Sequence, residues 1–165
     1  MPRKLPRRDP IGAYQRKSTA ARRVGVEAQC ACGEKRPEAL IPHSNPTICA
    51  ECKRKSRGQT TLDKHHVAGQ ANSPVTIPVP ANDHRARLSV DQYDWSKKTL
   101  ENPDGSPLLA RAARIRGYTD TVVYLNEKLL LPDADMLELL DAFLTEKFGP
   151  QWWRNTELEQ FKLER

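Results

Sequence analysis

Every cysteine of this 165-residue chain falls between positions 30 and 52. Cys30 and Cys32 form a C-x-C pair, sixteen residues intervene, and Cys49 and Cys52 form a C-x2-C pair. In an intracellular chain, two close pairs about 15–20 residues apart have the spacing of a tetrahedral zinc site. Four thiolates complete the coordination of Zn²⁺ and leave no open position, so such a site is structural. The ion supplies folding energy that a short, proline-containing segment cannot draw from apolar burial. Gly33 suits the tight turn after Cys32. Lys35, Arg36, Lys53, Arg54 and Lys55 favour thiolates and can also approach a phosphate backbone. The first pair has one intervening residue where two are usual, which leaves His43 as an alternative ligand. A disulfide pair or four reduced thiols are the competing readings, and reducing compartments disfavour the first.

Hydrophobic residues make up 38% of the chain, aromatics 6%, and mean hydropathy is -0.72, which allows one modest core and excludes a large multi-lobed enzyme. No run approaches the roughly 18 apolar residues of a membrane helix, so no membrane partner is expected. Met1–Arg8 is basic but has no apolar segment behind it, unlike a secretory signal. A cytoplasmic, intracellular location is the expectation. The net charge of +6 is unevenly spread: residues 1–28 carry +6, 29–62 carry +3, 63–98 carry +1 and 99–165 carry -4. A basic front half suggests a polyanion partner, most often nucleic acid. A solvated basic tail without a partner is the plainer alternative.

Four regions follow. Residues 1–28 form a basic arm, extended over the first ten residues, with a short helix from about Ile11 to Arg23. Residues 29–58 hold the cysteines and read as a zinc ribbon. Residues 59–98 hold three of the four histidines. Residues 99–165 begin at the turn Asn102-Pro103-Asp104-Gly105 and then read as two helices. Leu108, Leu109, Ala112, Ile115, Val122 and Val123 mark a buried stripe on the first. Met136, Leu137, Leu140, Phe143, Leu144 and Phe148 mark one on the second, entered through Pro132-Asp133 and stopped at Gly149-Pro150. The pair is expected as an α-helical hairpin serving as scaffold or dimer surface.

The histidine region reads locally as ββα. One strand ends near Val67, a turn covers Gly69 to Asn72, and a second strand covers Val75–Val79. Pro78 confines that strand to an edge. A helix starts at Asn82 or Asp83, either of which can act as N-cap. His65 and His66 are neighbours on an extended segment, so their side chains diverge. Divergence suits a division of labour, with one imidazole on a metal and the other holding a water. His84, arriving from the helix start, can complete the metal site.

His65-His66, Asn72 and His84 resemble the motif of the HNH endonucleases, the ββα-metal (His-Me finger) nucleases. The similarity is most specific over His66-Val67-Ala68-Gly69 and Asn82-Asp83-His84-Arg85, and the cysteine pairs resemble the zinc ribbon that many such proteins carry. The resemblance covers about Cys30 to Ser89. It implies that His66 is the general base, that His65 and His84 bind a catalytic divalent ion, and that Asn72 is the central Asn that holds the loop and orients the base. Asn82 is a rival for that last role. The positions before His84, often a cysteine pair in the family, are Pro80-Ala81-Asn82-Asp83 here. The expected fold is therefore α+β: a small zinc ribbon leading into a ββα-metal finger, followed by the helical hairpin.

Phosphodiester hydrolysis needs an activated water and neutralisation of charge on the phosphorane and the leaving oxygen. A histidine of ordinary pKa, roughly 6.5, supplies the first and one divalent ion the rest. Two imidazoles suit Zn²⁺, Ni²⁺ or Co²⁺, whereas Mg²⁺ or Mn²⁺ is common in the family. Arg85 and Arg87 flank the metal ligand as candidate DNA contacts. Arg3, Lys4, Arg7, Arg8, Arg16, Lys17, Arg22 and Arg23 add non-specific affinity. Cutting both strands needs two nicking sites, which a homodimer would supply. Trp95, Trp152 and Trp153 read as packing residues before base-stacking ones. A non-catalytic zinc-ribbon protein that binds nucleic acid is the rival reading.

Overall fold

The computed structural model describes residues 10–161. The expected extension of residues 1–9, with Arg3, Lys4, Arg7 and Arg8, lies outside them. The described chain combines helices with one two-stranded sheet, an α+β composition. It divides into two units, one ending at Tyr124 and the other starting at Leu125.

In the first unit, α1 spans Pro10–Val24. Pro10 opens it without penalty, because the first N–H of a helix has no intrahelical partner. The cysteine segment follows. A single antiparallel bridge, Leu40 to Cys49, closes it, and the Ala50 N–H donates to the Ala39 carbonyl across the same closure. Helix α2, Ala50–Lys55, begins at Cys49, whose sulfur accepts from the Cys52 N–H as an N-cap would. Cys30, Leu40 and Cys49 form the small core here, with Val24, Ala28 and Ile48 against it.

Strands β1, Leu62–His66, and β2, Thr76–Pro80, pair antiparallel, with His65 opposite Ile77 and His66 opposite Thr76. Both lie within a residue or two of expectation. The turn between them uses Gly69 at a positive φ of 77°. Helical backbone follows directly as α3, Ala81–Asp83, a π-helical stretch over His84–Leu88, and α4, Ser89–Tyr93. Neither Asn82 nor Asp83 caps this helix. Pro80 occupies the cap position, and both side chains are spent elsewhere. A π turn is rare and recurs at functional sites, and here it opens on His84. Val79, Leu88 and Tyr124 form a second core cluster, and Ala68, Trp95 and Ala113 a third. Trp95 is thus a packing residue, its indole N–H donating to Asp120.

Helix α5, Lys97–Glu101, ends at Asn102 in the left-handed conformation, as the Asn-Pro-Asp-Gly turn suggested. Helix α6, Pro107–Leu125, corrects the expected stripe. Leu108 and Ile115 are exposed, while Ala113, Gly117, Thr121 and Tyr124 are buried. The face of small residues is the one that packs, because the backbone itself comes close. A Cβ at Gly117 would stand 1.7 Å from the Val67 carbonyl oxygen. Gly117→Ala should therefore cost at least the roughly 3 kcal/mol at the upper end of overpacking penalties, since a backbone carbonyl cannot rotate aside. An unchanged urea midpoint would contradict this contact.

In the second unit, Asn126–Leu130 is π-helical and α7 covers Leu131–Phe148, followed by a 3₁₀ turn at Glu157–Phe161. The second helix is entered through Pro132-Asp133, as expected. Pro132 lies in the first turn of α7, where its missing N–H costs little, and Leu130 and Leu131 both keep right-handed helical dihedrals. The stop at Gly149 holds. The residues of the second stripe are largely exposed within this unit.

Candidate functional site

Two constellations of ligand-type side chains assemble. In the first, one sulfur from each of Cys30, Cys32, Cys49 and Cys52 lies within 4.8 Å of the other three. Cys32 Sγ and Cys49 Sγ are 3.6 Å apart. Zinc–sulfur bonds of about 2.3 Å at tetrahedral angles put sulfurs about 3.8 Å apart, so the spacing fits the ion. The shortened first pair is no obstacle. The Cys30 carbonyl accepts from the Gly33 N–H at 2.8 Å, and Gly33 takes a φ of 94°. This tight turn brings Cys32 back to the cluster, and His43 is not part of it. The donor chemistry agrees. Burial opposes ionisation of Cys30, but the backbone amides of Cys32 and Cys49 bring its thiol down to about 7. Cys52, beside the sulfurs of Cys32 and Cys49, is pushed up strongly. Four crowded sulfurs cannot all be thiolates without a cation between them. The four cysteines can hold a structural zinc ion.

The second constellation joins β1 to the helical residues after β2. Strand alternation puts Asp63 and His65 on one face of β1. The rings of His65 and His84 meet edge to face, with centroids 5.3 Å apart. His84 Nδ1 is 3.1 Å from Asp63 Oδ2, and the other Asp63 oxygen accepts from Arg54. Burial alone would raise the Asp63 carboxyl, but the His84 and Arg54 hydrogen bonds outweigh it and hold the group below its usual range. His65 is 2% exposed, and its Nδ1 is buried without a hydrogen-bond partner. Burial, aided by His84 and His66, pushes the His65 imidazole down to about 4. It is neutral at pH 7, the form that binds a metal. This group is looser than the cysteine set: among the described residues only the four cysteines bring three or more ligand atoms within 4.8 Å.

His66 diverges from His65, as expected of strand neighbours. Its Nδ1 lies 3.3 Å from the Ser73 carbonyl oxygen. A carbonyl only accepts, so in the neutral ring Nδ1 carries the proton and Nε2 keeps the lone pair. Asn72 performs the loop-holding part of its expected role. Its amide donates to the carbonyls of Thr99, at 2.9 Å, and Leu100, tying the β1–β2 loop to α5. The orienting hydrogen bond to His66 comes from Ser73 instead. Asn82 is engaged with the cysteine segment. Its Oδ1 accepts from the Glu51 N–H at 3.1 Å, and its own N–H donates to Glu51 Oε1 at 3.0 Å.

Sequence reasoning missed three residues at this site. Asp63 is two positions before His65, so the same alternation that separates the histidines could have found it. Gln92 sends its amide to the His66 carbonyl at 2.6 Å and comes within 3.4 Å of His65 Nε2. Asp83, next to His84, accepts from Arg36 at 2.7 Å and from the Tyr124 hydroxyl at 3.0 Å. Arg36, between the cysteine pairs, also grips Glu34. The Arg36–Asp83 and Glu51–Asn82 bonds bolt the cysteine segment to the two residues preceding His84.

A groove of about 800 Å³ opens beside this constellation, lined by Arg16, Lys17, Lys35, Arg36 and Arg85 along with Asp63 and His84. Arg85 is exposed, whereas Arg87 reaches Asp91 at 3.4 Å along the helix. Neither His65 nor His66 lines the groove. Helix α1 forms one wall, held by an Arg16–Asp94 ion pair of 2.6 Å. Among the described residues no helix is long and apolar enough to cross a membrane. Comparison with protein-family models, curated proteins and solved structures found no match to this chain.

Proposed function

We propose that the chain is a metal-dependent endonuclease of the HNH type, hydrolysing phosphodiester bonds in DNA. One arrangement carries the reading: His65, His84 and Asp63 meet beside a groove walled by basic side chains. The order strand, turn, strand, helix supports it, as does the tautomer of His66. In this reading His65 and His84 hold a catalytic divalent cation, Mg²⁺, Mn²⁺, Ni²⁺ or Zn²⁺, and the buried orphan Nδ1 of His65 is a nitrogen that a cation would satisfy. The cation supplies charge neutralisation at the phosphate. His66 takes a proton from the attacking water at Nε2, and the Ser73 carbonyl stabilises the imidazolium that results. Arg85, Arg16 and Lys35 attract the backbone through the groove.

A second reading has its own support. Asp63 already engages His84 and Arg54, and His65 is sealed from solvent, an arrangement that also suits a non-catalytic zinc-containing nucleic-acid binder. Plasmid nicking separates the two. Purified protein with Mg²⁺, Mn²⁺, Ni²⁺ or Zn²⁺ should convert supercoiled to open-circular DNA, and EDTA should stop it. Binding without nicking under every ion would leave only the second reading. The affinity in either case should fall steeply with salt, because a basic groove releases counterions from the phosphates it neutralises.

Asp63→Asn gives a finer test. A carboxylate that holds a metal-bound imidazole typically contributes about 10–100-fold to metal affinity. The activation curve for Mn²⁺ or Ni²⁺ should shift by that factor to higher concentration. An unshifted curve would make Asp63 a structural partner of Arg54 alone.

A further inference from the structure

Helix α7 carries a seam that no described residue of its own unit covers. Met136, Leu140 and Phe143 recur at three- and four-residue spacing and are 57%, 47% and 54% exposed. Leu137 and Phe148 flank them and are also exposed. Three or four residues is the interval that keeps side chains on one face of a helix, and Asp133 and Lys147 continue the same series at its two ends. The seam therefore reads Asp133, Met136, Leu140, Phe143, Lys147, with an apolar middle and one charge of each sign at the ends. Lys147 lies with its ammonium 5.6 Å from the rings of both Phe143 and Phe148, which keeps it on the seam. The turn after α7 attaches elsewhere, through the Trp152 indole to Asp141 at 2.9 Å, next to the seam but off its line.

We infer that α7 pairs antiparallel with α7 of a second copy of this chain. The charges select both the partner and its direction. Asp133 and Lys147 are each seven residues from Leu140. Antiparallel pairing about Leu140 brings Asp133 of each copy to the Lys147 end of the other, so both charges are answered. Parallel pairing sets Asp133 beside Asp133 and Lys147 beside Lys147. Polar residues on a helical seam set register and orientation in this way, and a two-fold interface is self-complementary by symmetry. Residues 131–148 carry four further charged side chains, Asp135, Glu138, Asp141 and Glu146, all of them acidic, so five of the six in all are acidic. That acidic excess disfavours an anionic lipid or nucleic-acid surface as the occupant.

The test uses the full chain and its mass in solution by light scattering at micromolar concentration, a readout independent of any cleavage. The chain should run at twice its 18.7 kDa. Leu140→Glu should halve that mass with helicity by circular dichroism unchanged, because the side chain is exposed in the single chain. Asp133→Lys and Lys147→Asp should each weaken the dimer about tenfold or more. Mixing the two variants should restore it, since each then meets an opposite charge. A wild-type chain at single mass, or a Leu140→Glu chain at double mass, would overturn the pairing. Charge variants that dimerise as tightly as wild type, or that fail to rescue each other, would overturn the antiparallel register.

Discussion

Cys49→Ser is expected to remove the zinc and most of the order of residues 30–58. Serine can still cap α2 through its hydroxyl, so the substitution isolates the metal's contribution from the cap's. Cys49 is fully buried and sits at the closure of the segment, bridged to Leu40. The apolar cluster there, Cys30, Leu40 and Cys49, is too small to hold the fold alone. Structural zinc in comparable small modules contributes apparent binding energies of about 10–16 kcal/mol at neutral pH, far more than the cluster can replace. The effect should reach the second constellation. Arg36 and Glu51 hold Asp83 and Asn82, so their loss frees the backbone that aims His84. The expected measurements are one zinc per wild-type chain, well under one in the variant, and loss of the cooperative thermal transition. Full zinc content with an unchanged transition would mean that the sulfurs cluster for some other reason.

His66→Ala is expected to lower kcat for DNA nicking by about 10²–10⁴-fold with little change in DNA affinity. That range is what a positioned general base contributes. The Ser73 carbonyl holds the ring in the tautomer with its lone pair on Nε2, so alanine removes a prepared acceptor rather than a flexible side chain. His65→Ala and His84→Ala should differ in kind, raising the metal concentration required. Normal nicking by His66→Ala would remove this residue from the mechanism and leave the groove as a binding surface.

Elements with strong local chemistry were legible early. The cysteine spacing named all four members of the cluster, Gly33 marked its turn, and the divergence of His65 and His66 followed from strand geometry. The boundaries of β1, β2 and α1 came within a residue or two. The failures have a common cause. The apolar positions of α6 were read as its buried face, yet Gly117 lets the helix pack by its smallest residues. Asn72 and Asn82 were assigned by motif, but both amides went to backbone partners 27 to 31 residues away.

The sequence by itself determined which residue types could bind metal and in what local order, because spacing along a turn or strand controls which side chains can share a face. Only the tertiary structure decided that Asp63 joins His84, that Ser73 rather than Asn72 holds His66, and that the cysteine segment is pinned to the start of the His84 helix. Those are contacts between elements. They depend on how far apart the backbones come to rest, a quantity no local spacing contains.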